Sequence, residues 1–154
     1  MKQIASKAYQ VSEINIIYRP IFKASERPQV STSQEVHDIL YNNWDLDKIE
    51  LQEQFKILLL NRANRVIGIY EVSSGGMSGT VADPKLIFST ALKAGASSII
   101  LSHNHPSGNL KPSQADIALT QKIIGAGSFL DIAVLDHIII TSEGYFSFQD
   151  EGII

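Results

Sequence analysis

The sequence predicts an α/β domain built on a mixed β-sheet, and three observations carry that expectation. Short apolar runs bounded by turn residues, at 98–101 and 132–141, read as buried strands. Segments with apolar residues at helical spacing and with recognisable start and stop signals lie between them. The two kinds alternate in the order β-α-ββ-α-β-α-ββ, which calls for two or three packed layers of helix and sheet.

Taken in order, residues 11–21 alternate in part. Ile14, Ile16 and Tyr18 fall on one face and Asn15, Ile17 and Arg19 on the other, the pattern of an edge strand. Pro20 and Pro28 bracket a polar connection. Thr32 and Glu35 have capping-box spacing, and Val36, Ile39 and Leu40 follow at helical spacing, so a helix is predicted over 33–42. His37 falls opposite the apolar stripe and is expected at the surface. Residues 44–51 are acidic and mixed and define no element.

Residues 55–60 read as a strand, 61–65 as a turn, and 66–72 as the returning arm of a hairpin. Residues 73–80 hold three glycines and three serines, a flexible loop without the Gly-Lys-Ser of a phosphate loop. Asp83 before Pro84 marks a helix start, with Gly95 as its stop. Strand, helix and strand in succession require a crossover, so part of the sheet is parallel. Residues 113–126 form the next helix, with Ile117, Leu119, Ile123 and Ile124 apolar. Residues 132–141 form a long strand that turns through Ser142, Glu143 and Gly144 into 145–148.

Composition bounds the rest. At 154 residues and 44% apolar content the chain forms one globular domain with a real core. No run of roughly eighteen apolar residues is present to span a membrane. The first seven residues lack the apolar block of a secretory leader, so a cytoplasmic location is expected. With no cysteine, any metal must be held by histidine and carboxylate. The net charge of −3 gives no support to a dedicated nucleic-acid binder.

The chemistry concentrates in residues 102–116. His103 and His105 are two apart, so on extended backbone both rings point to one side and Asn104 points away. Pro106, Ser107, Gly108 and Asn109 impose a turn, and Asp116 falls in the first turn of the following helix. The turn can bring that carboxylate over the histidines. Two imidazoles and one carboxylate leave a fourth tetrahedral position for water, which suits catalytic zinc. Ser113 and Asp116 also fit a capping box, a role that can coexist with the first. Hydrolysis needs a base as well, and Glu50, Glu53 and Glu71 are candidates. Glu53 shares strand parity with Phe55, Ile57 and Leu59 and is favoured; the plain alternative is an exposed acid at a strand entrance. Asp136 and His137 sit mid-strand and read as a satisfied core pair, with a supporting role beside the metal as the alternative. Ser102 and Asn104 are equal candidates to orient the histidines.

His-x-His, seven residues and Ser-x-x-Asp together resemble the JAMM signature of the JAB/MPN metalloproteases. His-Asn-His-Pro-Ser-Gly followed by Pro-Ser-x-x-Asp is similar to the RadC-like branch in particular. Phe55, Leu58, Leu60 and Asn61, Gly79 and Thr80, residues 136–139, and Tyr145, Ser147 and Phe148 extend the likeness over about 52–151. Residues 1–30 carry none of it and are read as an N-terminal extension of one domain over 1–154, with no room for the helix-hairpin-helix module usual in RadC proteins.

The resemblance implies a single domain with a curved mixed sheet flanked by helices, layered as in cytidine deaminases. It implies one Zn2+ held by His103, His105 and Asp116, Glu53 as the base, and Ser113 as oxyanion donor. The implied activity is hydrolysis of an amide or isopeptide bond, on a peptide or isopeptide substrate. Two other readings stay open: a DNA-repair or DNA-processing protein using the same metal, and a non-catalytic partner-binding domain.

Overall fold

A computed structural model of the chain describes residues 9–76 and 81–154. Among these residues five strands and three α-helices follow one another as α1 (Ser33–Asn42), β1 (Gln54–Leu60), β2 (Val66–Ser74), α2 (Pro84–Ala94), β3 (Ser98–Asn104), α3 (Gln114–Phe129), β4 (Ala133–Ile140) and β5 (Tyr145–Ser147). The sheet order is β2-β1-β3-β4-β5. Among the described residues only β3 and β4 pair in parallel; β1 runs antiparallel to both β2 and β3, and β5 antiparallel to β4. The sheet is thus mixed, as the crossover required. None of the described helices is long and apolar enough to cross a membrane.

Two apolar clusters cover the two sheet faces. Phe55, Ile57, Leu59, Ile99 and Leu101 pack beneath Ile87, Phe88 and Ala91 of α2 and Ile123 of α3. Leu58, Leu60, Ile100, Ile138 and Ile140 pack on the other side against Val36 and Leu40 of α1, with Trp44 and Ile49 from the connection that follows. The result is three layers, and strand alternation assigns each residue of β1 and β3 to its face.

The local signals act as read. Thr32 accepts from the Glu35 N–H, while the Glu35 carboxylate accepts from the Thr32 N–H. Asp83 caps α2 through the Lys85 N–H, and Gly95 closes that helix at φ 66°.

Four expectations need correction. Residues 11–21 form no strand among the described residues. Ile14 and Ile16 are 88% and 72% exposed, and one side-chain bond, from the Tyr18 hydroxyl to the Ile67 carbonyl, ties the segment to β2. Alternation without a partner ladder leaves backbone groups to water, and the pattern alone forms nothing. Strand β3 continues past Leu101 through Asn104, so the first histidine sits within the sheet. Helix α3 runs through Gly125 and Gly127 to Phe129, because Gly127 is buried against Phe88 and Ile132. His37 is half-buried, its ring stacked on Tyr145 at 4.6 Å, since α1 lies across the β4–β5 side of the sheet. The second half of the glycine-rich loop, with Gly79 and Thr80, lies outside the described residues, as do residues 1–8.

Candidate metal centre

The register between β1 and β3 sets Phe55 opposite His103, their rings within 4° of parallel. Glu53, two residues before Phe55, therefore rises on the same side as His103. Its backbone is held from both flanks. The Asn104 side chain accepts from the Gln54 N–H at 2.7 Å and donates to the carbonyls of Gln52 at 2.9 Å and Ile49 at 2.7 Å. The Glu53 N–H donates to the Gly76 carbonyl, and the Glu53 carbonyl accepts from Gly75. The Glu53 carboxylate ends 3.6 Å from His103 Nε2.

His105 follows the end of β3, and its N–H still donates to the Ile140 carbonyl. A turn closes from the Gly108 N–H to the His105 carbonyl, and it needs the positive φ of 80° that glycine supplies. His105 Nδ1 then meets the Asn109 carbonyl at 2.6 Å. A carbonyl only accepts, so Nδ1 carries the proton, and in the neutral ring Nε2 is a bare lone pair.

Helix α3 brings the acid. Ser113 Oγ accepts from the Asp116 N–H at 3.0 Å, and Asp116 Oδ2 accepts from the Ser113 N–H at 2.8 Å. The carboxylate so fixed lies 3.4 Å from His103 Nε2 and 3.3 Å from His105 Nε2. The two Nε2 atoms are 2.9 Å apart. One ligand atom from each of Glu53, His103, His105 and Asp116 lies within 4.8 Å of the others, so the four could hold a metal ion. His103 is buried, while the side chains of Glu53, His105 and Asp116 keep 14%, 16% and 18% exposure, so one side of the cluster opens to solvent.

The donor chemistry fits a divalent cation. Two imidazole nitrogens and two carboxylates converge on one point, and such a set repels itself unless positive charge lies within it. The titration behaviour carries the same strain. Burial opposes charge on His105, but its bonds to Asp116 and the Asn109 carbonyl outweigh that and raise its pKa. Burial would raise Asp116, yet when His103 and His105 are protonated their hydrogen bonds to it and the His103 charge, together with the Ser113 N–H, hold it well below the usual carboxylate range.

The other candidates fall elsewhere. Glu71 accepts from Gln54 and Ser74, and Glu50 from Ser142, and neither belongs to the cluster. Ser102 donates to the Ile138 carbonyl across the sheet, and Asn104 holds the Glu53 segment, so neither orients a histidine ring. Asp136 and His137 do not pair through their side chains. The Asp136 carboxylate accepts from Ser147 Oγ at 2.6 Å and from the backbone N–H groups of His137 and Gln149. Burial raises the pKa of Asp136 against those bonds. His137 faces the other way and lies 2.7 Å from His103 Nδ1, and burial holds its pKa far down. Of the two readings the sequence offers for it, a core group paired with Asp136 and a supporting group beside the candidate site, the position of its ring fits the second.

A three-layer α/β domain with His-x-His at a strand end and an aspartate on the next helix defines a JAB-type domain with a candidate metal site. The RadC-like JAB domain family matches residues 30–153, and the chain belongs to that family. Among its relatives, a UPF0758 protein of Flavobacterium johnsoniae is 52% identical over 101 residues, which is 66% of this chain and 44% of that protein. One from Salinibacter ruber is 42% identical over 131 residues, covering 84% and 54%. One from Methanosarcina mazei is 33% identical over 151 residues, covering 97% and 65%. The chain thus spans about half the length of these relatives.

Proposed function

We propose that the chain is a zinc-dependent hydrolase that cleaves amide or isopeptide bonds. The observation that carries this reading is the placement of Glu53, 3.6 Å from His103 Nε2 at the solvent-open side of the His103, His105 and Asp116 set. A zinc ion bound there supplies a Lewis acid that lowers the pKa of water toward neutrality. Glu53 takes the proton released as water attacks the carbonyl and returns it to the leaving amine. Among the described residues Ser113 Oγ is engaged by the Asp116 N–H alone, which leaves its own hydroxyl hydrogen to donate to the oxyanion. Presence of every donor argues against a purely partner-binding domain, and the net charge of −3 gives no support to DNA as substrate.

The test is hydrolysis of peptide, isopeptide and DNA substrates by the full chain, with and without chelator. Chelator-sensitive cleavage of an amide bond is the expected result, and Glu53→Gln should lower it by about 10²- to 10⁴-fold while metal content stays at one per chain. Cleavage of DNA alone, or equal amide cleavage by Glu53→Gln, overturns the reading.

A further inference from the structure

We infer that His137 and Thr120 form a buried hydrogen-bonded relay that fixes His103 with its Nε2 lone pair aimed at the metal position. Each contact in the relay has one direction. The Thr120 hydroxyl lies 2.7 Å from the Asp116 backbone carbonyl and 2.7 Å from His137 Nδ1. The carbonyl has no proton to give, so the one hydroxyl hydrogen goes to it. Thr120 Oγ1 must then accept at its second contact, which places a proton on His137 Nδ1. His137 Nε2, 2.7 Å from His103 Nδ1, is left with a lone pair and accepts the His103 Nδ1 proton. In the neutral ring His103 Nε2, facing Glu53, His105 and Asp116, is therefore bare.

The surroundings hold this order in place. His137 and Thr120 are both fully buried. The His137 ring stacks on Phe148 at 4.5 Å and meets the edge of Phe55 at 5.6 Å, which fixes its plane, and a flip within that plane would lose the bonds to both Thr120 and His103. A metal-binding histidine commonly gives its second N–H to a carboxylate or a carbonyl. Here it gives it to another imidazole, anchored on the helix that carries Asp116. Two ligands on different elements, His103 on β3 and Asp116 on α3, are thus tied through β4. His137 is a positioning residue on this account and touches no substrate.

The inference rests on the proposed metal site for its purpose, but the tautomer can be read without metal. Long-range 1H–15N correlation spectra of the metal-free full chain, above the ordinary histidine pKa, report which nitrogen of His103 carries hydrogen. Zinc affinity is measured by competition with a chromophoric chelator, and thermal unfolding checks that each variant folds. Wild type is expected to show His103 protonated at Nδ1 alone. Thr120→Val, which keeps the shape and loses the hydroxyl, is expected to mix the tautomers and weaken zinc binding by about 10- to 100-fold. Thr120→Ser should restore both. His137→Gln, whose amide oxygen can still accept from His103, should lose less affinity than His137→Leu. A wild-type His103 protonated at Nε2, or Thr120→Val with unchanged tautomer and unchanged zinc affinity, overturns the relay. If the tautomer depends on Thr120 but wild type binds no zinc, the relay stands and the metal reading fails.

Discussion

Ser113 and Asp116 hold each other: the Asp116 N–H donates to Ser113 Oγ at 3.0 Å, and the Ser113 N–H donates to Asp116 Oδ2 at 2.8 Å. The same two bonds start helix α3 and aim the carboxylate at His103 and His105. The helix cap and the candidate metal site therefore share this carboxylate, and Asp116 Oδ1 stays free of the cap.

Substitution can separate the two duties of Ser113. Ser113→Ala should lower stability by about 1 kcal/mol through loss of the cap. It should also reduce amide hydrolysis by about 10²- to 10³-fold through loss of an oxyanion donor. Glycine is a tolerable cap with no hydroxyl, so Ser113→Gly should lose only a few tenths of a kcal/mol and yet match the catalytic loss. Denaturant unfolding and turnover, measured on both variants, decide it. Full turnover by Ser113→Gly would leave the serine as a helix cap alone.

Protons and metal compete for the same cluster, and the signs follow from the shifts. His105 has a raised pKa in the metal-free protein, so the stability it contributes is complete below its ordinary value of 6.5 and is lost as pH rises through the higher folded value. Asp116 has a depressed pKa, so its contribution is present above its ordinary value of 3.8 and is lost only in strong acid. These two contributions coincide between those two values, and that of His105 is lost on the alkaline side; His137, whose pKa burial holds far down, acts in the opposite sense and withdraws stability below its ordinary value of 6.5. Metal binding runs the other way, because the imidazole must first shed its proton. The rise in unfolding temperature on adding zinc should be larger at about pH 8 than at about pH 6. An equal rise at both would show that His105 is not a ligand.

Much of this was legible because short-range signals and tertiary demands agree. Thr32, Asp83 and Ser113 each cap the helix their spacing announced. The alternation from Glu53 to Leu59 assigned a face to the carboxylate before any partner strand was known. The face to which His137 turns was not legible, and the reason is a local irregularity in β4. Ile99 pairs with Val134 and Ile100 with Asp136, so Leu135 is one residue more than β3 supplies. Val134 packs with α2 and α3, and strict alternation would send His137 to the α1 side. The extra residue reverses that parity and turns the imidazole to His103. Residues 11–21 failed for the opposite reason: their alternation is genuine, but a strand also requires a neighbour to pair with, and no neighbour is written in the segment itself.

Helix α3 carries two glycines that should respond in opposite directions. Gly125 is exposed, and a Cβ there meets nothing within 4 Å, so Gly125→Ala should stabilise by about 0.5–1 kcal/mol through reduced chain entropy. Gly127 is buried. A Cβ there drives into the Ile132 carbonyl and comes 3.4 Å from the Phe88 ring. That carbonyl belongs to the turn that leads into β4, and backbone cannot swing aside as a side-chain end does. Gly127→Ala gains the same helix propensity, but overpacking on the order of 1–3 kcal/mol outweighs it. The expected result is a net loss in denaturant midpoint with an unchanged slope. Because β4 carries His137, the displaced turn should also weaken zinc binding, whereas Gly125→Ala should leave it untouched. Equal midpoints for the two variants would mean that the contact between α3 and the β4 entrance yields more readily than its geometry implies.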